Sequence, residues 1–312
     1  MGSSAIAVEL IADRGAAAIE DEFFRSREFL AAEGVTHTLV ATAAGNEAAV
    51  PLLVREIPGS DRVDAISPYS YPGARVRGGP VDRDAVDLAG SGLVSAFVRD
   101  RLGGPVAFTG ATERSIVLVS DPALPRKSRM SDRQQIRKNE AAGYQLSTLP
   151  GPEVTDEALA GFLSVYTETM RVVDAADHYY FDGDYFRALL ASPLSWLMTV
   201  TGPEGDCAAS GLLVRSDGFL HYYLSGTADD HRRRAPSKNL IVAATELAES
   251  MDLPLNLGGG LKPGDGLEEF KRGFANRELP FRTHELICDA RAYAELAAGR
   301  EDDGFFPLYR SR

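Results

Sequence analysis

The first third of the chain alternates apolar and polar residues with the two-residue period of β-strands. Short apolar runs bounded by turn residues predict three strands, near residues 36–43, 48–57 and 62–67. The sequence Ala-Gly-Asn at 44–46, between the first two, has the composition of a hairpin turn. This stretch therefore predicts an antiparallel meander.

The same order of elements recurs later in the chain. Strands are predicted near 195–201, 206–215 and 219–226, and in each copy a helix precedes the strands while a loop and another helix follow them. Short sequence words recur as well, because AAVPLLVR at 48–55 resembles AASGLLVR at 208–215, an offset of 160 residues. We interpret the two copies as a duplication.

Helical spacing of apolar residues predicts the elements around the second copy. A polar helix at 131–142 ends at Gly143, and Thr155 caps the next helix. A third helix at 236–251 leads into a short apolar strand at 253–257.

Together these elements predict an α/β (α+β) fold of two tandem domains, each with a mixed, mostly antiparallel sheet flanked by helices. The proline- and glycine-containing run at 149–152 supports a boundary between them. We expect an N-terminal domain at 1–147 and a C-terminal domain at 148–312, with the active cleft at or near the second sheet.

Composition restricts the class of protein. A hydrophobic content of 44% and a charged content of 25% are typical of a globular protein. No apolar run approaches the roughly 20 residues of a transmembrane helix, and no secretory leader opens the chain. The two cysteines, Cys207 and Cys288, form no metal-binding or disulfide pattern. We expect a cytoplasmic protein with no transmembrane segment and no metal.

Charge is distributed unevenly. The net charge of −12 argues against non-specific binding of nucleic acid, and we expect no DNA partner. Basic side chains nevertheless crowd two short stretches, which are either solvated faces or a dedicated site for a polyanion. They are Arg126, Lys127, Arg129, Arg133, Arg137 and Lys138 in the first stretch, and Arg232, Arg233, Arg234 and Lys238 in the second.

Four sequence motifs carry a family resemblance. They are the strand LHYYLSGT at 220–227, the turn NLGGG at 256–260, the segment EFKRGF at 269–274 and the helix RQQIRKNE at 133–140. Over roughly residues 60–285 the chain resembles the Fem-type branch of the GNAT acyltransferase superfamily. The resemblance implies two fused GNAT-like domains and an enzyme that forms amide bonds.

One motif of coenzyme A-dependent GNAT enzymes is missing. Their pyrophosphate loop has the pattern Arg/Gln-x-x-Gly-x-Gly/Ala, since glycine lets backbone N–H groups approach phosphate. The equivalent residues 234–239 contain neither glycine, Pro236 removes a donor, and residues 68–74 fail the pattern in the first copy. The resemblance implies a different donor, aminoacyl-tRNA, which acts as a co-substrate and requires no further cofactor. The missing loop also fits a non-catalytic GNAT domain.

Lys271 and Phe270 are the candidate catalytic residues. We expect packing of Phe270 and Phe274 to hold this lysine, whose charge would stabilise an oxyanion or bind phosphate, as the resemblance implies for a functional lysine beside phenylalanine. Gly258 and Gly259 are expected to let the backbone approach the ester or ribose. The alternatives are a surface lysine on an amphipathic helix and a flexible turn.

Tyrosines and an arginine are candidates for substrate binding. Adjacent Tyr222 and Tyr223 face opposite sides of a strand, so one packs in the core and the other lines the cleft. The resemblance implies an acceptor-binding role for the Tyr-x-Tyr-Pro loop and for the polar segment after the Thr155-capped helix; the alternative for the loop is a packed aromatic turn. The candidates in these two segments are Tyr69, Tyr71, Arg171 and Tyr179. No general base stands out.

These observations lead to a functional hypothesis. We expect a transferase that joins a small amino acid from aminoacyl-tRNA to the amine of a peptide-type acceptor, either an antibiotic peptide intermediate or a peptidoglycan precursor. An acetyl- or acyl-CoA-dependent N-acyltransferase and a non-catalytic GNAT-fold binding protein are the alternatives. The residues expected to bind tRNA phosphates are Arg133, Arg137, Lys138, Arg233, Arg234 and Lys238.

Overall fold

The computed structural model describes residues 6–260 and 262–311. The chain divides into two compact units: unit 1 comprises Met1–Ser115 and Pro280–Arg312, and unit 2 comprises Ile116–Leu279. This division differs from the expected boundary at residue 147 in two ways. The chain enters unit 2 at residue 116, before the predicted helix at 131–142, and the last 33 residues return to unit 1. Within the described residues, no helix is both long and apolar enough to cross a membrane.

Thirteen strands are found in the described part of the chain. They are β1 (Ala7–Ile11), β2 (His37–Ala43), β3 (Asn46–Glu56), β4 (Val63–Ile66), β5 (Arg75–Arg77), β6 (Ser95–Arg99), β7 (Thr112–Ser120), β8 (Gln145–Pro150), β9 (Ser195–Thr201), β10 (Cys207–Ser216), β11 (Phe219–Thr227), β12 (Leu255–Gly258) and β13 (Arg277–Ile287).

Seven α-helices accompany these strands in the same residues. They are α1 (Arg27–Ala32), α2 (Met130–Ala141), α3 (Asp156–Val172), α4 (Gly183–Leu190), α5 (Ser237–Ser250), α6 (Gly266–Arg272) and α7 (Ala290–Ala297). Short 3₁₀ segments lie at Arg14–Ala17, Phe23–Arg25, Arg83–Ala85, Leu88–Ser91, Gly151–Glu153, Asp177–Tyr179, Asp229–Arg234 and Leu308–Arg310.

The two units contain sheets with matching strand order. In unit 1 the order is β1-β2-β3-β4-β6-β13, with β5 added beside β3; in unit 2 it is β8-β9-β10-β11-β12-β7. Among the described strands, the parallel pairs are β4 with β6 in unit 1 and β11 with β12 in unit 2. The predicted α/β class and the mixed, mostly antiparallel sheets are confirmed.

Strand register supports the interpretation as a duplication. Leu52 pairs with His37 across β3 and β2, and Leu212 pairs with Leu197 across β10 and β9. Both members of the second pair lie 160 positions after those of the first. The offset read from sequence words is therefore the offset of the strand pairing.

The predicted second helix of the first copy is wrong. Between β4 and β6 the chain forms β5 and two 3₁₀ segments, whereas α5 connects β11 to β12 in unit 2. The reason lies in composition, since residues 72–92 contain five glycines and two prolines, which disfavour a helix interior. The parallel connection in unit 1 is thus made without an α-helix.

Packing in unit 2 places α5 and α6 over one apolar cluster. Leu240, Ile241 and Ala244 of α5 are at most 1% exposed and pack with Leu255 and Leu257 of β12. Phe274, which follows α6, belongs to the same cluster. Burial of this apolar surface fixes the ends of β11 and β12, where the candidate site lies.

Candidate functional site

The site begins where the parallel strands β11 and β12 part. Only two residue pairs join them, Leu220 with Leu255 and His221 with Asn256, although β11 continues to Thr227. From Tyr222 onward, the described residues of β11 have no registered pair with β12. We call this point the fork of unit 2.

Glycines form the backbone on the β12 side of the fork. Gly258 has φ +73°, a left-handed conformation that favours glycine, and a side chain there would approach the Lys271 Nζ to 3.3 Å. A side chain at Gly259 would come within 2.8 Å of the Ile116 carbonyl oxygen. The backbone is therefore held close to its neighbours on both sides.

Lys271 points at this glycine turn. Its Nζ donates a hydrogen bond to the Gly259 carbonyl at 2.8 Å, and the side chain is half-buried. Burial lowers the pKa of Lys271 to about 8, opposed by the negative charge of Asp265. The lysine is therefore mostly protonated at neutral pH and loses its charge just above it.

The local sequence accounts for the position of this lysine. Asp265 caps α6 by accepting a hydrogen bond from the Glu268 amide at 2.8 Å. Phe270 and Phe274 have ring centroids 5.7 Å apart, in an edge-to-face arrangement, and both pack on the apolar cluster of unit 2. These contacts fix one face of α6 and leave Lys271 directed at the fork.

A buried chain of hydrogen bonds lies behind the glycine turn. His221 Nε2 is 3.1 Å from the Ser216 carbonyl oxygen, and His221 Nδ1 is 3.0 Å from Asn256 Nδ2. Asn256 Oδ1 accepts a hydrogen bond from the Gly258 amide at 2.7 Å. His221 is 1% exposed and Asn256 is 2% exposed.

The two neighbouring tyrosines of β11 have different environments. Tyr222 packs against the apolar cluster of unit 2, where burial raises its pKa to about 12. The Tyr223 hydroxyl lies 3.4 Å from the Tyr185 hydroxyl, on the α4 side of the sheet. Tyr222 is thus the packed member of the pair.

The remaining acceptor-side candidates are divided between the units. Tyr69 and Tyr71 belong to unit 1, where Tyr71 packs edge-on against Phe281 with centroids 5.2 Å apart. Arg171 is exposed in the last turn of α3, and Tyr179 lies in the following 3₁₀ segment. The Tyr179 carbonyl accepts a hydrogen bond from the Tyr166 hydroxyl at 2.8 Å, which ties this segment to α3.

A basic cleft of about 500 Å³ lies beside α2 in unit 2. A smaller cleft of about 420 Å³ shares two of its basic side chains and continues toward the end of α6. We call the two clefts together the basic groove. The larger cleft is lined by four cations and two carboxylates. Those groups are Arg126, Lys127, Arg133, Arg137, Glu140 and Glu246.

The cations of this groove are not equally neutralised. Arg126 lies 3.6 Å from Glu246 and 3.8 Å from Glu249. In the described part of the chain, Lys127, Arg133 and Arg137 form no ion pair. The groove therefore retains positive charge for an anion.

Other predicted tRNA-binding residues lie outside this lining. Lys138 on α2 and Arg233 and Arg234 in the Asp229–Arg234 segment are exposed. The Lys238 Nζ bonds Asp132 Oδ1 at 2.8 Å, with both side chains largely buried. Lys238 thus joins α5 to α2, and its charge is used within the protein.

Residues 234–239, where the sequence predicts the equivalent of the pyrophosphate loop, lie at the start of α5. The Lys238 amide donates to the Ala235 carbonyl at 3.1 Å, and the Asn239 amide donates to the Pro236 carbonyl at 2.9 Å. Two N–H groups of the first turn are therefore already bonded to the local backbone, and Pro236 contributes none.

Asn256 is the site residue that sequence reasoning missed. A signal was present, because asparagine is unfavourable inside an apolar strand such as LPLNL at 253–257. A polar side chain in such a strand requires a buried partner. His221 is that partner.

Comparison with known proteins agrees with this arrangement of strands and helices. Residues 126–272 match the sequence model of the family described as "Acetyltransferase (GNAT) domain". No curated protein matches the sequence. The matched range lies within unit 2 and includes Lys271, so the sequence similarity to a GNAT domain falls in unit 2.

Similarity to solved structures extends over both units. FemX has a TM-score of 0.60 at 10% identity, covering 87% of this chain and 93% of FemX. The chain has a Fem-type GNAT fold.

Two further structures share this Fem-type fold. L-PGS from Bacillus licheniformis has a TM-score of 0.53 at 12% identity, covering 83% of this chain and 86% of that chain. The C-terminal domain (DUF2156) of a putative lysylphosphatidylglycerol synthetase from Agrobacterium fabrum has a TM-score of 0.55 at 12% identity, with 83% and 86% coverage.

Proposed function

We propose that this protein transfers an aminoacyl group from aminoacyl-tRNA to a primary amine of a peptide-type acceptor. The amine nitrogen attacks the ester carbonyl, a C–N amide bond forms, and the C–O ester bond breaks. The nitrogen loses a proton, and the departing ribose oxygen of the tRNA gains one. The acceptor is the amine of a small peptide, such as an antibiotic intermediate, or of a peptidoglycan precursor.

The basic groove is the observation that carries this proposal. A chain of net charge −12 has concentrated four cations in one cleft, three of them without an ion pair in the described residues. Such a local excess of positive charge suits nucleic-acid phosphates. Arg133 and Arg137 line the cleft, while exposed Lys138, Arg233 and Arg234 are available to phosphates farther along the same strand.

The groove is linked to the helix that carries Lys271. Arg129 Nη2 donates to the Glu269 carbonyl of α6 at 2.9 Å, and Phe274 forms part of the cleft wall. A donor held by its phosphates in the groove would therefore have its reactive end near α6. This arrangement supports a role for Lys271 at the reacting carbonyl.

Lys271 is proposed to stabilise the oxyanion of the tetrahedral intermediate. In a half-buried site its protonated Nζ interacts strongly with a developing negative charge. Its present acceptor, the Gly259 carbonyl, shows that the Nζ is aimed at the fork. Gly258 and Gly259 present only backbone there, so that no side chain stands between Lys271 and the turn.

Acetyl-CoA is the alternative donor, and the family match favours it as a second candidate. The first turn of α5 argues against it, because the amides of Lys238 and Asn239 already have backbone partners. A coenzyme pyrophosphate would have to break those bonds or bind elsewhere. Donor choice is therefore the first property to measure.

Filter binding of radiolabelled charged tRNA, at low and at physiological salt, tests the proposal. We expect saturable binding that weakens steeply with salt and that excess acetyl-CoA does not displace. Binding displaced by acetyl-CoA, or no binding, would favour the coenzyme-dependent reaction.

A matched pair of charge reversals assigns the binding to the groove. Arg137→Glu should weaken tRNA binding about tenfold and reduce the salt slope by about 1, as expected for loss of a phosphate contact. Arg215→Glu makes the same change of charge at an exposed position of β10 outside the groove and should have little effect. Equal losses in both variants would mean that only net charge matters.

A further inference from the structure

The three hydrogen bonds behind the glycine turn are satisfied together by one arrangement of protons. A backbone carbonyl can only accept, so His221 Nε2 must carry the hydrogen that faces Ser216. With the ring neutral, Nδ1 is then an acceptor, and the amide nitrogen of Asn256 must face it. This orients Asn256 Oδ1 toward the Gly258 amide, which it meets at 2.7 Å.

This chain of bonds stands at the fork itself. His221 and Asn256 form the last registered pair between β11 and β12, and both side chains are almost fully buried. Gly258, two residues beyond Asn256, has the left-handed conformation that turns the chain away from β11. Asn256 thus acts as a side-chain substitute for the strand pairing that ends here.

Lys271 depends on the same turn. Its Nζ bonds the carbonyl of Gly259, the residue after the one that Asn256 holds. We infer that Asn256, oriented by His221, is a positioning residue that fixes the Gly258–Gly259 turn and thereby the Nζ of Lys271. The inference rests on the proposed role of Lys271 for its functional meaning, and on the hydrogen bonds alone for its geometry.

Two substitutions of Asn256 separate positioning from mere packing. Asn256→Leu keeps the number and branching of the side-chain heavy atoms and removes both side-chain hydrogen bonds. Asn256→Asp retains an acceptor for the Gly258 amide but loses the donor to His221, so the imidazole should take up a proton and donate from both nitrogens. Ser195→Ala is the control, because it deletes a buried 2.8 Å hydrogen bond to the Ser192 carbonyl elsewhere in unit 2.

The closing experiment needs no acyl donor. Labelling of Lys271 by an amine-reactive reagent, followed by mass spectrometry of the full-length protein across pH, reports the environment of its Nζ. The wild type should show a midpoint near the pKa of about 8 that burial gives Lys271. Asn256→Leu should move the midpoint up by at least one pH unit, which slows labelling at pH 8 about fivefold.

The two controls complete the prediction. Asn256→Asp should shift the midpoint less than Asn256→Leu, and ¹⁵N NMR should show His221 as an imidazolium in place of the neutral Nε2–H form. Ser195→Ala should leave the midpoint unchanged. With a donor in hand, Asn256→Leu should lower kcat about tenfold with little change in KM, since misplacement of a catalytic group by about 1 Å can cost more than this.

A folded Asn256→Leu protein that labels like the wild type would overturn the inference and leave the proposed function standing. Conversely, if the wild type transfers no aminoacyl group but Asn256→Leu shows the labelling shift, the proposed function is wrong and the positioning role stands.

Discussion

The two units share a six-strand order and differ at the end of their parallel strand pair. In unit 1, Ile66 and Phe97 form the last pair of β4 and β6, and Arg99 then bonds the Ser67 carbonyl at 2.7 Å. In unit 2, the corresponding strands part after His221 and Asn256, and glycines follow. One fork is closed by a side chain and the other is open.

The connection between the parallel strands differs in the same way. Unit 2 uses α5, which buries an apolar face on the sheet, whereas unit 1 uses β5 and short 3₁₀ segments. The fork with the crossover helix lies in the unit that matches the GNAT family model, and it is the site for which we propose acyl transfer. The other unit is free to become a scaffold.

Of the changes that test this difference between the units, loss of Lys271 should have the largest effect on kcat. Lys271→Met removes the cation proposed to stabilise the oxyanion, and we expect kcat to fall by at least about 100-fold while circular dichroism stays unchanged. Lys262→Met, on the exposed loop before α6, is the matched control. Arg99→Met, at the closed fork, should lower stability but not turnover; loss of turnover in that folded variant would mean that both units take part in the chemistry.

Removal of Asp64 should destabilise unit 1 specifically. This fully buried carboxylate bonds Arg55 at 2.9 Å, Arg310 at 2.5 Å and the Tyr309 hydroxyl at 3.1 Å. Asp64→Asn should lower the free energy of unfolding by about 3 kcal/mol, because it leaves two partly buried arginines without their counter-charge. Urea denaturation measures the loss, and an unchanged midpoint would show that the cluster contributes no net stability.

The pH dependence of transfer should report the protonation of Lys271. The charged form exists below a pKa of about 8, so the contribution of the cation is lost as pH rises through that value. Lys271→Arg keeps its charge throughout this range. We expect that variant to be slower than the wild type, yet without the alkaline decline of kcat that the wild type shows.

The smallest predicted effect concerns the glycine turn. Gly258→Ala must place a side chain in a left-handed conformation, 3.3 Å from the Lys271 Nζ. Gly218→Ala imposes a similar φ, +74°, in the β10–β11 turn with no atom nearby. Both should cost about 1 kcal/mol of stability. Only Gly258→Ala should also lower kcat, and equal kcat in the two variants would show that the turn is not shaped for Lys271.

Local patterns explain why much of the fold was predictable. The predicted strands at 195–201, 206–215 and 219–226 correspond to β9, β10 and β11 within one or two residues. Period-two alternation and hairpin turns are both local signals, and α5 likewise follows from its apolar stripe.

What the sequence did not reveal depends on distant contacts. The limits of unit 1 depend on β13, nearly 180 residues after β6, and no local pattern shows that the two strands pair. Lys271 and the glycine turn were recognisable because they form short motifs. Asn256 was not, since its role depends on a histidine 35 residues earlier.

The sixth strand of unit 1 also sets an order of events during synthesis. Unit 2 is one continuous stretch, whereas the first sheet receives β13 only after residues 280–287 have been made. On the ribosome, the first sheet therefore has an unpaired edge at β6 until β13 has been made. Such an edge is a template for unwanted pairing. Unit 2, although its strands follow those of the first meander, can therefore complete its sheet before unit 1 does.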